Sequence, residues 1–301
     1  MIKKFRKVHI EITNICNLSC SFCPPKTLPN ETMSVELFEK INQEVKAYTK
    51  ELAYHIVGDP LILSNLRDYL DISLRHNLKV NLTTTGNKIT QKDFNTLTHQ
   101  AVKQINFSIN SYQANSHKKS LDEYLTPLFE FVKFVLEHKK EVFINFRIWN
   151  LDQTQSAKLF NQAVFEKANT FFNAQLDVDA IYTLKPKNIK IARKVFFNFD
   201  DYFVWPSLES NYCEENGFCH GLSSHFGILS SGTVVPCCLD KDGIINLGNV
   251  KKESLEQILT SQKVNAIQQG FLKHKATQEL CKKCEYKTKF NDKLNGRIIN
   301  E

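Results

Sequence analysis

Residues 11–25 read EITNICNLSCSFCPP, and the position of that stretch decides the fold. It completes a strand in which Val8, Ile10 and Ile12 alternate with other residues, then turns into a loop bearing Cys16, Cys20 and Cys23. Outward from it the chain repeats the same step. Strand candidates at Val8–Thr13, Leu52–Val57, Lys79–Thr84, Gln104–Ser108, Val142–Ile148 and Leu176–Ile181 are separated by amphipathic helical stretches. Ser34 is placed to cap the first helix, whose Phe38, Ile41, Val45 and Tyr48 share a face. Thr90 starts another, with Asp93 three residues on. A third, Leu121–Lys139, is striped by Leu125, Leu128, Phe129, Val132, Val135 and Leu136. Strands alternating with helices predict a parallel sheet, because parallel neighbours need crossover connections. Such a sheet presents ligands at the C-terminal ends of its strands, which is where the cysteine loop lies.

After about residue 185 the pattern changes to short strands, Gly and Pro turns, a helix over Ser254–Gly270 and six of the nine cysteines. The expected organisation is a core domain over residues 1–185 and a smaller one over residues 186–301. With 42% hydrophobic and 24% charged residues, wholesale disorder is excluded, and 301 residues can bury a core without disulfides or metals. No apolar run nears the ~20 residues of a membrane span, so no membrane partner is expected. The basic N-terminus leads straight into a strand without a signal-peptide core, which predicts a cytoplasmic protein. There, an odd number of cysteines reads as ligands or catalysts rather than disulfides. The net charge of +7 is scattered; it permits an anionic ligand without indicating nucleic acid.

Three thiolates on one tight loop can hold three irons of a [4Fe–4S] cluster and leave the fourth iron open for chemistry. A structural zinc site wants four ligands. His9 and His55 are the candidates for the fourth, but their strand positions suit ordinary half-buried residues.

The same residues closely resemble the signature of the radical S-adenosylmethionine (radical SAM) superfamily, including the aromatic Phe22 before the third cysteine. The resemblance implies a partial (β/α)6 barrel in which the cluster on Cys16, Cys20 and Cys23 binds SAM and cleaves it to a hydrogen-abstracting 5′-deoxyadenosyl radical. Further segments match in family order. VGDPL, residues 57–61, is similar to the Gly-Gly-Glu-Pro segment, which implies SAM contacts at Gly58, Asp59 and Pro60, although Val57 and Asp59 replace the first Gly and the Glu. LTTTG, residues 82–86, resembles the Thr-Asn-Gly turn and brings in Thr84. INFSIN places Ser108 at the ribose position, with Asn110 where Asp is usual, and INFRIWN offers Arg147 to the SAM carboxylate. Taken singly, these are ordinary turn and strand-end residues; their weight lies in their order.

In the second domain, Cys219-x12-Gly232-x4-Cys237 is followed by Cys281-x2-Cys284. A glycine hairpin delivering one ligand and a knuckle delivering two more is a sound metal-site construction, which zinc could also use. The arrangement resembles SPASM and twitch domains, small C-terminal α+β units that hold auxiliary clusters in radical SAM enzymes. Where full SPASM domains continue the knuckle with two more cysteines, this chain has Phe290 and Leu294. The resemblance thus implies the shorter, twitch-like form, with one auxiliary [4Fe–4S] cluster on Cys219, Cys237, Cys281 and Cys284. Cys213 competes as a ligand, while Cys238 reads as a small buried residue. Asp240 is a candidate catalytic base, displaced from the place that Cys238 occupies; a solvated turn residue is the plain alternative. His220 and His225 flank the hairpin and read as polar loop residues.

The expected function is a two-electron oxidation of a small molecule, with the auxiliary cluster accepting an electron. The alternative is peptide or protein maturation. The first strand begins near residue 8, which leaves no room for an N-terminal peptide-recognition domain and favours the small molecule. An electron donor such as flavodoxin or ferredoxin is the expected partner. A zinc- or cluster-binding protein that contacts RNA through Lys185–Lys194 and Lys273–Lys289 is the reading from another class.

Overall fold

In the computed structural model, which describes residues 4–115, 119–152 and 154–290, ten strands form one sheet. They are β1 (Lys7–Ile10), β2 (Glu51–Tyr54), β3 (Lys79–Thr84), β4 (Val102–Ser108), β5 (Phe143–Ile148), β6 (Asn188–Ala192), β7 (Val195–Phe199), β8 (His225–Ile228), β9 (Thr233–Val235) and β10 (Gly248–Asn249). Their order is β10-β9-β8-β1-β2-β3-β4-β5-β7-β6. From β8 through β7 every neighbouring pair is parallel; β6, β9 and β10 are antiparallel additions at the two edges.

One face of this sheet is apolar. Val8 pairs with Leu52, Leu52 with Val80, Leu82 with Ile105, Ile105 with Ile144, and Phe107 with Phe146 and then Phe197, all fully buried under the helices. The other face is polar. His9, Asn81 and Gln104 lie at one level, Thr83 and Asn106 at the next, and Ser108 and Arg147 above, all lining a cavity. A parallel sheet packed on both faces reads as continuous apolar runs. Here the strands alternate because one face encloses a cavity instead of a core.

The helices follow their caps. Ser34 Oγ accepts from Leu37 N at 3.2 Å and opens helix Val35–Val45, which buries Phe38, Ile41 and Val45; Tyr48 is buried just beyond its end. Ser120 and Glu123 form a capping box on Leu121–Glu137, which buries the expected stripe apart from half-buried Leu136. Thr90 and Asp93 form a second box, on the turn Gln91–Asp93.

Three expectations are corrected. Leu176–Ile181 is not a strand: Asp177 caps Ala180 N at 2.6 Å and starts helix Val178–Leu184. The sixth parallel strand is β7, reached through β6, so the sheet runs past residue 185. The single helix over Ser254–Gly270 is two, Leu255–Leu259 and Gln262–Leu272, because Ser261 starts a new cap by accepting from Val264 N at 3.3 Å. The C-terminal part is also joined to the core, since β8 extends the sheet beside β1. Among the described residues no helix is long and apolar enough to cross a membrane.

Candidate active site

The loop after β1 is built to hold its thiols. Asn14 clamps its start, accepting from Glu31 N and donating to Pro29 O, both at 2.8 Å. Gly58 presses on the same backbone: a Cβ there would sit 2.3 Å from Thr13 O, and its φ of +81° is left-handed, so glycine is required twice over. Asp59 N then donates to Ile15 O at 2.9 Å and ties the end of β2 to the cysteine loop.

Within the loop, Cys16 Sγ accepts from Leu18 N at 3.4 Å and Cys20 Sγ accepts from Asn115 Nδ2 at 3.1 Å. A hydrogen bond from the Cys23 thiol, with the Asn115 contact, pulls the Cys20 thiol down to about 7. N–H donors aimed at sulfur favour thiolates, the form that binds iron. Asn115 Oδ1 also accepts from Ser19 N at 2.9 Å. No pattern in the sequence marks Asn115, which lies far along the chain.

The other expected SAM residues divide. Thr84, Ser108, Asn110, Arg147, Phe22 and Gly58 line one cavity of about 940 Å³ together with Cys16, Cys20 and Cys23. Phe22 stacks on Tyr202 at 5.1 Å, and Asn110 Nδ2 donates to Tyr202 Oη at 3.3 Å. Arg147 lies over the Trp149 ring at 4.5 Å, and burial pushes it down to about 10. Asp59 and Pro60 are absent from the lining. Asp59 is buried, with Oδ1 accepting from Leu61 N (3.0 Å) and Oδ2 from Thr85 N (2.9 Å) and Thr85 Oγ1 (2.8 Å). Its carboxylate joins two loops, and Asp59 does not line the cavity where the family pattern expected a SAM contact.

Cys219, Cys237, Cys281 and Cys284 line the same cavity from the opposite wall. Burial raises all four, and neighbouring thiols add to it at Cys219, Cys237 and Cys281; Cys219 is pushed up to about 11. Gly221 N donates to Cys219 Sγ at 3.3 Å, and a Cβ on Gly221 would meet Pro236 O at 3.2 Å and Cys237 Cβ at 3.6 Å. Lys287, buried at 3% exposure, donates to Lys282 O (2.9 Å), Cys281 O and Cys284 O (both 3.2 Å), holding the knuckle closed. In the sequence it is one lysine in a basic run.

The remaining candidates are also placed. Cys213 is exposed and does not line the cavity. Cys238 lines the cavity, packed on Ile56, Leu229 and Val235. Asp240 lines the wall but is buried, not solvated. Its oxygens accept from Ile244 N (2.9 Å) and Ile245 N (2.8 Å), closing a turn. Phe290, at the position of a further ligand in the longer cysteine pattern, packs edge-on against His220 at 4.8 Å. Leu294 lies outside the described residues.

Both thiol sets fit clusters. Among the described residues no three His, Cys, Asp or Glu side chains converge as a site for a single metal ion. The N–H donors to the sulfurs of Cys16, Cys20 and Cys219 suit thiolates that ligate iron.

The radical SAM superfamily profile matches residues 10–149, and the profile of an iron–sulfur cluster-binding domain, SPASM, matches residues 219–285. The chain carries a domain of the radical SAM superfamily. Its C-terminal part is a SPASM-type cluster-binding domain. Membership brings SAM, a SAM-binding [4Fe–4S] cluster and auxiliary cluster binding. The S-adenosyl-L-methionine-dependent 2-deoxy-scyllo-inosamine dehydrogenase of Niallia circulans is 22% identical over 125 residues, covering 39% of this chain and 49% of that protein. The matched stretch thus spans about half the length of that relative. Among solved structures, BtrN in complex with AdoMet and 2-DOIA aligns over 95% of this chain and 94% of its own, with a TM-score of 0.60 and 16% identity. Native anSMEcpe with bound AdoMet and Cp18Cys peptide aligns over 93% and 86%, with a TM-score of 0.56 and 16% identity. These likenesses establish the shared fold.

Proposed function

We propose that this radical SAM protein oxidises a small molecule by two electrons, using one auxiliary [4Fe–4S] cluster in a twitch-like C-terminal unit. The observation that carries the reading is the single cavity into which both thiol sets open. Cys16, Cys20 and Cys23 would hold the open cluster, and Cys219, Cys237, Cys281 and Cys284 a fully ligated one. When bound, these groups supply an electron that cleaves SAM to a 5′-deoxyadenosyl radical and, opposite, an acceptor for the electron a substrate radical releases. The substrate gives up a hydrogen atom, then an electron and a proton.

The protein's own part is placement. Ser108, Asn110 and Thr84 line the SAM end, and Phe22 on Tyr202 forms a flat wall beside the cysteine loop. At about 940 Å³ the cavity is of small-ligand size, and SAM must share it, which supports a compact substrate. The likeness to a dehydrogenase points the same way.

A second reading, peptide maturation, draws support from a cleft of about 550 Å³ at the cavity mouth. It is walled by Pro24, Pro25, Phe203, Val204, Trp205 and Pro206, with Val204 61% exposed. The RNA-contact reading loses its footing because much of the basic runs is engaged. Arg193 and Lys194 pair with Glu141, Lys282 with Glu215 and Glu279, and Lys289 with Asp200.

The test is 5′-deoxyadenosine formation by the reduced, anaerobically reconstituted protein with SAM, given the small-molecule or the peptide fraction of a cell extract. Stimulation by the small-molecule fraction, with a product lighter by two hydrogen atoms, is expected. Stimulation by the peptide fraction alone would transfer the assignment to maturation.

A further inference from the structure

Part of the cavity wall carries cations with no carboxylate to meet. Lys7, the first residue of β1, and Arg147 on β5 both line the cavity, and among the described residues neither forms an ion pair. The nearby carboxylates are engaged elsewhere. Glu51, the one that acts on Lys7, pairs with Lys103 and accepts from Asn81 Nδ2 at 3.3 Å. Asp240 is held by its two backbone N–H groups, and Asp242 pairs with Lys241 at 2.6 Å. Three histidines complete the patch. Lys7 pairs in register with His225, the His225 and His9 rings meet edge to face at 5.6 Å, and His9 Nδ1 lies 3.2 Å from His55 O. The Nδ1 of His55 is buried with no hydrogen-bond partner.

Holding cations in a cavity wall without a carboxylate partner is costly, and a bound anion lowers that cost. We propose that this patch, centred on Lys7 and His55, binds an anionic oxygen group of the substrate, a carboxylate or a phosphate monoester. This rests on the small-molecule reading above and narrows its substrate to an acid. Burial depresses Lys7, His9, His55 and His225 alike. Lys7 lies at the opposite end of β1 from the cysteine loop, which separates it from the SAM end. Arg147, beside Ser108 in register, is placed to serve either group.

The test is isothermal titration of the anaerobically reconstituted protein with sodium phosphate and with sodium acetate, SAM being held at saturation so that its own carboxylate site is filled. Saturable binding of one anion is expected, and which one binds more tightly separates a phosphate monoester from a carboxylate. Lys7→Met should weaken it about tenfold, as for loss of a charge-assisted hydrogen bond, while Lys7→Arg restores it. Lys133→Met, at an exposed position on helix Leu121–Glu137, should leave it unchanged. If Lys7→Met loses iron, His55→Gln takes its place with the same expected weakening. Absence of saturable binding, binding only without SAM, or equal binding by the folded variants would overturn the proposal. Iron content and SAM binding in the same samples report separately on the radical SAM reading.

Discussion

His55 follows β2 with its Nδ1 buried and unpartnered, and burial first, then the charge of Arg147, pushes it down to about 4 from 6.5. Between those values the unfolded chain binds a proton that the folded one refuses, so this residue removes stability as pH falls below 6.5. His55→Gln should therefore gain stability relative to wild type by about 1 kcal/mol between pH 7.5 and 5.5, read from paired thermal melts. A constant difference would mean that the ring takes up its proton as readily folded as unfolded. Gly58 makes a steric prediction. Alanine there adds a Cβ 2.3 Å from a carbonyl oxygen at a left-handed φ, which should cost ~2 kcal/mol or more. Because the strain falls on Thr13 and Asn14, the variant should also retain less iron on the first cysteine loop. An unchanged melting temperature would contradict this.

Among the elements, the knuckle Cys281–Cys284 depends on a single buried ammonium, that of Lys287. Lys287→Met takes a donor from three carbonyls and should cut iron from ~8 to ~4 per chain, leaving the SAM-binding cluster in place. Iron analysis with 5′-deoxyadenosine formation checks both halves, and full iron retention would show that the ammonium is dispensable. The strands themselves were legible, because one apolar face imposes a period of two; Lys79–Thr84 matches to the residue. The sixth strand was not. Leu176 and Ile181 are both buried, but they frame a helix capped by Asp177, and spacing alone could not separate that from a short strand. The break at Ser261 was missed for a related reason: both halves of Ser254–Gly270 share one apolar periodicity, and a cap interrupts it.

For the whole molecule, the sheet divides the chain's chemistry between its faces. Apolar strand positions pack under helices, and polar ones line a cavity that two cysteine sets approach from opposite walls. Those sets were visible in the sequence because thiol ligands keep tight local spacing. The residues that shape their surroundings were not. Asn115, Tyr202, Lys7 and Lys287 act on partners distant in sequence or on turns, and nothing local marks them. The surroundings of Asp59 and Asp240 were hidden too, since a motif position does not show that backbone N–H groups occupy both carboxylate oxygens. The central claim is two iron–sulfur sites, one on each cysteine set, facing one cavity. Its most direct test is iron, sulfide and zinc content after anaerobic reconstitution. Wild type is compared with Cys16→Ala/Cys20→Ala/Cys23→Ala and with Cys219→Ala/Cys237→Ala/Cys281→Ala/Cys284→Ala. The prediction is ~8 irons in wild type and ~4 in each variant. Zinc in place of iron, or a metal content that neither set of substitutions changes, would contradict it.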